Sequence, residues 1–296
     1  MPPLRKAIPI MCSLYLCVFL VALDRTIIST AIPAITNEFD SFSDIGWYGS
    51  AYMLTTCGFQ LWYGKIYTYY SPKWTFLGAI FLFEAGSAIC GAAPSSIVLI
   101  VGRAVAGLGT AGIMNGSIVI MMNVIPLAKR PFWMGFNGAM FGIASVVGPL
   151  LGGVFTTDVT WRWCFYINLP IGAIAALVVI IVLKVDTPMM QAGKSLKQKI
   201  LQLDPLGTIL FLPGIISLLL ALQWGGSTYN WGNARIIVLL CLFVVLTTVF
   251  GILQVVRNDD YVTIRTAIIT NRSIAAGAWY QLWYVIQSCE CCFGFC

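Results

Sequence analysis

Apolar residues in this chain come in runs of about twenty, separated by short stretches where Gly, Pro, Trp and charged side chains gather. A spanning helix needs about 20 mostly apolar residues to cross hydrocarbon about 30 Å thick. Runs of that kind stand near 8–30, 46–63, 75–93, 96–116, 133–155 and 164–183. Two more follow at 206–223 and 235–253, and a ninth begins near Ser273 and loses its character by Cys289. All are predicted to be α-helices, because backbone groups in lipid must be paired within the segment and the two-residue alternation of a barrel is absent. The predicted fold class is an all-α polytopic membrane protein. The first run follows Arg5 and Lys6 as a signal peptide would, but it is long and lacks a small-residue cleavage site, so it reads as the first span.

Composition agrees: with 59% hydrophobic and 9% charged residues, there is too little polar surface for a water-soluble globule, and the lipid bilayer is the solvent. The net charge of +6 does not point to nucleic acid, since the basic residues are scattered singly between apolar runs. Their placement follows topology instead. With the N-terminus in the cytoplasm and each span reversing sides, Arg5, Lys6, Lys65, Lys73, Lys129, Arg130, Lys184, Lys194, Lys197, Lys199, Arg257, Arg265 and Arg272 all fall inside. Only Arg162 and Arg235 fall outside, whereas one missed or invented helix would scramble that alternation. Trp47, Trp62, Trp74, Trp161, Trp163, Trp224 and Trp231 stand near the proposed boundaries, as interfacial belts require.

Chemistry is restricted by what is missing. With no histidine, Ser-His-Asp triads, Cys-His dyads and His-based zinc sites are excluded, and no enzyme, cofactor or metal site is expected. Cys12, Cys17, Cys57, Cys90, Cys164 and Cys241 sit in or beside apolar runs without paired spacings and read as packing residues. Cys289, Cys291, Cys292 and Cys296 crowd an eight-residue tail that cannot easily close a tetrahedral shell. Palmitoylation is one reading of that tail, and a truncated or misread coding sequence is the one expected.

The informative residues are those that break the rule of an apolar interior. Asp24 lies roughly 24 Å into the first span and Arg103 roughly 10 Å down from the outer end of the fourth, at 1.5 Å per residue, so the two share a depth and could meet. A charge at a helix centre costs about 2.5–3.5 kcal/mol, and pairing across a water-accessible cavity lowers that cost. One reading is a purely structural ion pair; the functional one has Asp24 take up and release a proton while Arg103 biases its charge. Glu84, in the middle of the third span, is a second candidate for proton or cation handling, with a buried protonated acid as the alternative. Arg25 projects about 100° around the helix from Asp24, snorkelling outward or supporting the carboxylate. The fifth span concentrates Gly138, Gly142, Gly148, Pro149, Gly152 and Gly153. Glycines four apart permit close helix approach and Pro149 removes an internal hydrogen bond, which predicts a tight, kinked seam; one reading stops at packing, and the functional one adds control of leak or gating.

These residues carry a family resemblance. GAMFGIASVVGPLLGG, Gly138 to Gly153, resembles the antiporter signature of the major facilitator superfamily. WRWCFYINLPIG, Trp161 to Gly172, is similar to the stretch entering the sixth span of its fourteen-span drug/proton antiporter branch, which includes fungal toxin and multidrug efflux pumps. LDRTIISTAIPAI, Leu23 to Ile35, resembles the first-span motif of that branch, whose acidic position falls on Asp24. GRAVAGLGTAG, Gly102 to Gly112, resembles the fourth-span motif at Arg103, Gly107 and Gly109. The loop GKIYTYYSPKW resembles the cytoplasmic gating motif at Gly64 and Lys73, but Thr68 stands at the acidic position and Ser71 at a later glycine. Gly64 and Lys73 can then serve as a turn and a cytoplasmic anchor, with a short basic inside loop as the alternative reading.

The resemblance implies a six-helix half over 1–183, a cytoplasmic loop and two additional spans over 184–260, and the start of a second half over 261–296 with an aberrant Cys-rich tail. It implies export of small amphipathic or apolar organic compounds by proton antiport and alternating access, with protons and a small-molecule substrate as partners and the C-terminal half absent from this chain. The expected location is a plasma membrane. The alternative is a non-transporting fragment or regulatory half-transporter.

Overall fold

A computed structural model describes residues 4–183, 204–226 and 228–256, with isolated positions at 272, 276, 277 and 279. Its helices are α1 (Leu4–Phe39), α2 (Ile45–Tyr69), α3 (Pro72–Gly91), α4 (Ser96–Val124), α5 (Arg130–Val154), the short α6 (Trp163–Tyr166), α7 (Asn168–Val182), α8 (Pro205–Trp224) and α9 (Ala234–Val256). The predicted ninth span from Ser273, the tail cysteines Cys289, Cys291, Cys292 and Cys296, and Lys184, Lys194, Lys197, Lys199, Arg257 and Arg265 lie outside the described residues.

Local sequence chemistry explains the element boundaries. Pro72 and Pro131 open α3 and α5, where a missing N–H costs nothing. Asp204 caps α8 by accepting the Gly207 amide at 3.0 Å. α1 ends where Asp40 turns into the left-handed region with φ 48°, and the Ser41 amide then returns to the Thr36 carbonyl. The predicted sixth span is broken at Ile167 into α6 and α7. Pro170 is the reason: it has no N–H to offer the Tyr166 carbonyl one turn back. A five-residue π-turn, Phe155–Val159, continues α5.

Seven of these segments are long and apolar enough to cross a membrane, namely the lengths led by α1, α3, α4, α5, α7, α8 and α9. The chain is an integral multi-pass membrane protein. α2, predicted as a span, is long enough at 25 residues but falls short of the same apolarity. It carries Ser50, Thr55, Thr56 and Gln60 along with five tyrosines, and several of these find partners inside the bundle. Tyr52 meets the Thr110 hydroxyl at 2.6 Å, the Thr56 hydroxyl donates to the Gly107 carbonyl at 3.1 Å and the Tyr67 hydroxyl to the Gly112 carbonyl at 2.9 Å. α2 is thus tied to α4 by polar bonds as much as by apolar contact.

α4 is the axis of the unit formed by α1–α7 because its residues are small. A Cβ at Gly109 would stand 2.3 Å from the Phe83 amide nitrogen, and one at Gly107 2.4 Å from the Tyr52 carbonyl oxygen. Neither α3 nor α2 could approach α4 so closely past an ordinary side chain. α1 packs against α5 and α7, while α8 and α9 pair with each other and touch the unit through α2.

Candidate functional site

The close packing of α3 and α4, with α1 alongside, brings together polar groups that lie far apart in the chain. Asp24 and Arg103 form a salt bridge of 2.6 Å and are 0% and 1% exposed. Arg103 also donates through Nε to the Tyr48 carbonyl at 3.0 Å, and its guanidinium lies 4.3 Å above the Tyr52 ring. These two further contacts orient the arginine toward one carboxylate. Removing either member of such a pair leaves an uncompensated buried charge, at a cost of about 3–5 kcal/mol.

The second oxygen of Asp24 faces α7, where Asn168 donates at 3.4 Å and contacts the Ser87 hydroxyl at 3.3 Å. Asn168 is fully buried, and its carbonyl oxygen has no hydrogen-bond partner among the described residues. Glu84 stands one helical turn from Ser87 on the same side of α3. Both of its carboxyl oxygens are buried and likewise without a partner among the described residues. They fit only because Gly172 has no side chain: a Cβ there would lie 1.6 Å from Glu84 Oε1. Asn168 and Gly172, four apart on α7, thus form a notch that receives the polar face of α3 beside Asp24.

Sequence reasoning singled out Asp24, Arg103 and Glu84 but missed Asn168, Ser87 and Gly172. Asn168 left a signal, as an amide inside an apolar run. Gly172 left none, since its importance depends on which side chain faces it.

The other predicted residues divide. Gly148 and Gly152 pack on α1, where a Cβ would meet the Thr26 hydroxyl at 2.2 Å and the Thr30 hydroxyl at 2.0 Å; Thr26 also donates to the Ala144 carbonyl of α5 at 3.0 Å. Gly138, Gly142 and Gly153 have nothing within 4 Å of that position, and Pro149 is exposed. The seam expected along the whole run is confined, among the described residues, to its C-terminal half. Gly152→Leu should therefore lower the thermal stability of the detergent-solubilised chain, by the 1–3 kcal/mol of an overpacked contact, while Gly142→Leu should leave it unchanged. Equal melting temperatures for the two variants would contradict this division. Gly64, expected at a turn, lies instead inside α2, which runs on to Tyr69, and is exposed with open space around it among the described residues. Lys73 donates to the Ile180 carbonyl at 2.6 Å, holding the start of α3 to the C-terminal turn of α7, where a cation is favoured.

At the far end of the bundle the segment from Trp161 has a use the sequence did not reveal. Arg162 bridges Glu38 at 2.8 Å and donates to the Gly91 and Ala93 carbonyls at 3.0 and 2.7 Å, while the Trp161 indole also donates to Glu38. These contacts tie the ends of α1 and α3 to α6.

A cavity of about 850 Å³ opens between α1, α2, α5 and α8. Its wall is largely apolar, with Ile28, Ile32, Met53, Phe141 and Leu222, and it reaches the ion pair at Arg103. Arg25 and Gln223 also line it, and Asp24 is sealed behind. Among the described residues, no group of three or more His, Cys, Asp or Glu could hold a metal ion.

Relatives share this chain's sequence over almost its whole length. It is 53% identical over 286 residues to the MFS-type transporter VdtG of Byssochlamys spectabilis, covering 95% of this chain and 51% of that protein. The MFS-type efflux pump MFS1 of Arthroderma benhamiae is 55% identical over 275 residues, covering 93% and 51% respectively. The efflux pump aflT of Aspergillus parasiticus is 55% identical over 269 residues, covering 91% and 52%. The chain spans about half the length of the curated relatives it matches. The model of the Major Facilitator Superfamily matches residues 14–269, and the chain belongs to that family.

Proposed function

We propose that this chain supplies the N-terminal half of a transporter that exports small amphipathic or apolar organic compounds by proton antiport and alternating access. Asp24 is the coupling carboxylate in this reading. The observation that carries it is the sealed Asp24–Arg103 pair at the wall of a largely apolar cavity. A carboxylate held by a neighbouring guanidinium can exchange that partner for a proton, and cargo in the cavity would lie close to the same guanidinium. Two relatives are named as efflux pumps, which supports the direction. Glu84 is the second carboxylate in this proposal, one helical turn along α3 from Ser87, which contacts Asn168 beside Asp24. The half-length match favours one other reading, a half-transporter that acts only with a partner.

The test is a completed fourteen-span protein in sealed vesicles with an imposed pH gradient. Flux of a dye or toxin should rise with the gradient, and protons should move the opposite way. Flux insensitive to the gradient would sink antiport, and gradient-driven flux by the 296-residue chain alone would sink the need for a second half.

The proposed setting is a plasma membrane with the N-terminus in the cytoplasm. In a cysteine-depleted protein, single cysteines at positions 65 and 129 should resist an impermeant maleimide applied to intact cells, while those at 40 and 226 should react. Labelling from outside at position 65 would overturn the orientation.

A further inference from the structure

Two arginines line the cavity, and they are not equivalent. Asp24 and Arg25 are consecutive, so their side chains leave α1 about 100° apart. Asp24 turns into the bundle toward Arg103, and Arg25 turns toward the cavity and is exposed there. Arg103 is neutralised by Asp24 at 2.6 Å. Arg25 forms no salt bridge among the described residues; its Nη2 is directed at the Met53 thioether at 3.4 Å, a weak acceptor. Among the described residues no Asp or Glu lines the cavity, so with Arg103 neutralised by Asp24 its described lining carries one net positive charge.

Two features sharpen the effect of that charge. The wall around it is apolar, so its field is screened less than in water. One face of the Tyr52 ring, beside the ion pair, is already covered by the Arg103 guanidinium at 4.3 Å and does not receive a second cation. A guanidinium presents five donors and no acceptor, which suits a carbonyl, phenol or carboxylate oxygen. An ionised group within a spanning helix calls for a partner, and an oxygen on the cargo would serve as one.

Resting on the export reading above, we propose that this cavity selects cargo by charge: it takes apolar-bodied compounds bearing an acceptor oxygen and excludes organic cations, with Arg25 as the specificity-determining residue. The oxygen sits at Arg25, and the apolar body lies along Ile28, Ile32 and Leu222. Neutral and anionic cargo share this chemistry, and binding measurements separate them.

The experiment is equilibrium binding to the purified 296-residue chain in lipid nanodiscs. Three dansyl probes share one aromatic body and end in a methyl ketone, a carboxylate or a trimethylammonium group. Energy transfer from the protein's tryptophans, among them Trp47 and Trp224, which meet 6.4 Å apart next to the lining residues Gly46 and Gln223, reports occupancy. Empty nanodiscs correct for partition into lipid. The ketone and carboxylate should bind saturably, with the ammonium probe at least ten-fold weaker. Arg25→Gln should close that gap by weakening the ketone and carboxylate and strengthening the ammonium probe, and the gain in ammonium binding shows that the cavity persists. Arg25→Lys should keep the order, and Arg25→Glu should invert it, so that ammonium binds better than carboxylate.

Equal binding of the three probes by the unmodified chain, tighter binding of ammonium, or no saturable binding would overturn the proposal. So would a gap that survives Arg25→Gln. The vesicle assay fails independently: charge selection in nanodiscs without gradient-driven flux would leave this inference standing and sink antiport, and flux without charge selection would do the reverse.

Discussion

Replacing Asp24 with Asn is expected to abolish gradient-driven export in the completed transporter, with flux falling to the level of vesicles that lack the protein. Asn keeps the size and hydrogen-bonding shape of a protonated acid but can neither release nor regain a proton. If Asp24 carries the coupled proton, the variant is held in one state and the pH gradient has no differential affinity through which to act. Cargo binding should survive, because Asp24 is sealed behind Arg103 and does not line the cavity. The substitution also leaves Arg103 buried opposite a neutral amide, so stability should fall by up to about 3–5 kcal/mol. Flux must therefore be normalised to folded protein. Glu84→Gln is the companion variant, since Glu84 has no hydrogen-bond partner to lose among the described residues. Should Asp24→Asn retain gradient-driven flux while Glu84→Gln loses it, Glu84 is the coupling group and Asp24 a structural one.

The second large effect is expected at Gly109. A Cβ there would stand 2.3 Å from the Phe83 amide nitrogen, 2.7 Å from the Ala79 carbonyl oxygen and 2.7 Å from Phe83 Cα. All three are backbone atoms, so no rotamer change relieves the clash, and α3 must move away from α4. Gly109→Leu should cost at least the 1–3 kcal/mol typical of an overpacked core and remove most of the monodisperse protein from size-exclusion chromatography. Glu84 follows Phe83 directly, so the same displacement would pull the polar face of α3 out of its notch on α7. Gly78→Leu is the control: it changes the same residue type on α3 but at a position with nothing within 4 Å. Similar losses for both variants would mean that added bulk on these helices, and not the α3–α4 contact, is what matters.

Much of the architecture was legible in the chain because bilayer insertion is decided locally. About twenty apolar residues, a break, and lysines on alternate breaks are read one segment at a time, and α1, α3, α4, α5, α8 and α9 all overlap the runs expected of them. The two misfits, the low apolarity of α2 and the break between α6 and α7, have local causes too, in its hydroxyl-bearing residues and in Pro170. Depth was also legible, since each helical residue advances about 1.5 Å along the axis; that is why Asp24 and Arg103 could be matched before any contact was known.

Azimuth was not legible. The sequence spaces side chains around a helix but does not say which neighbour each side faces, because that depends on how whole helices rotate and pack against one another. Only the tertiary structure separates Gly148 and Gly152, which receive threonines of α1, from Gly142, which faces open space. It alone turns Arg25 toward the cavity and Asp24 away from it. It also makes Asn168, a lone amide in an apolar run, and Gly172, which nothing in that run marks out, the surface on which two carboxylates of other helices rest. Hydropathy is a property of each segment and survives in the one-dimensional chain, whereas these contacts are created by close packing between helices distant in sequence.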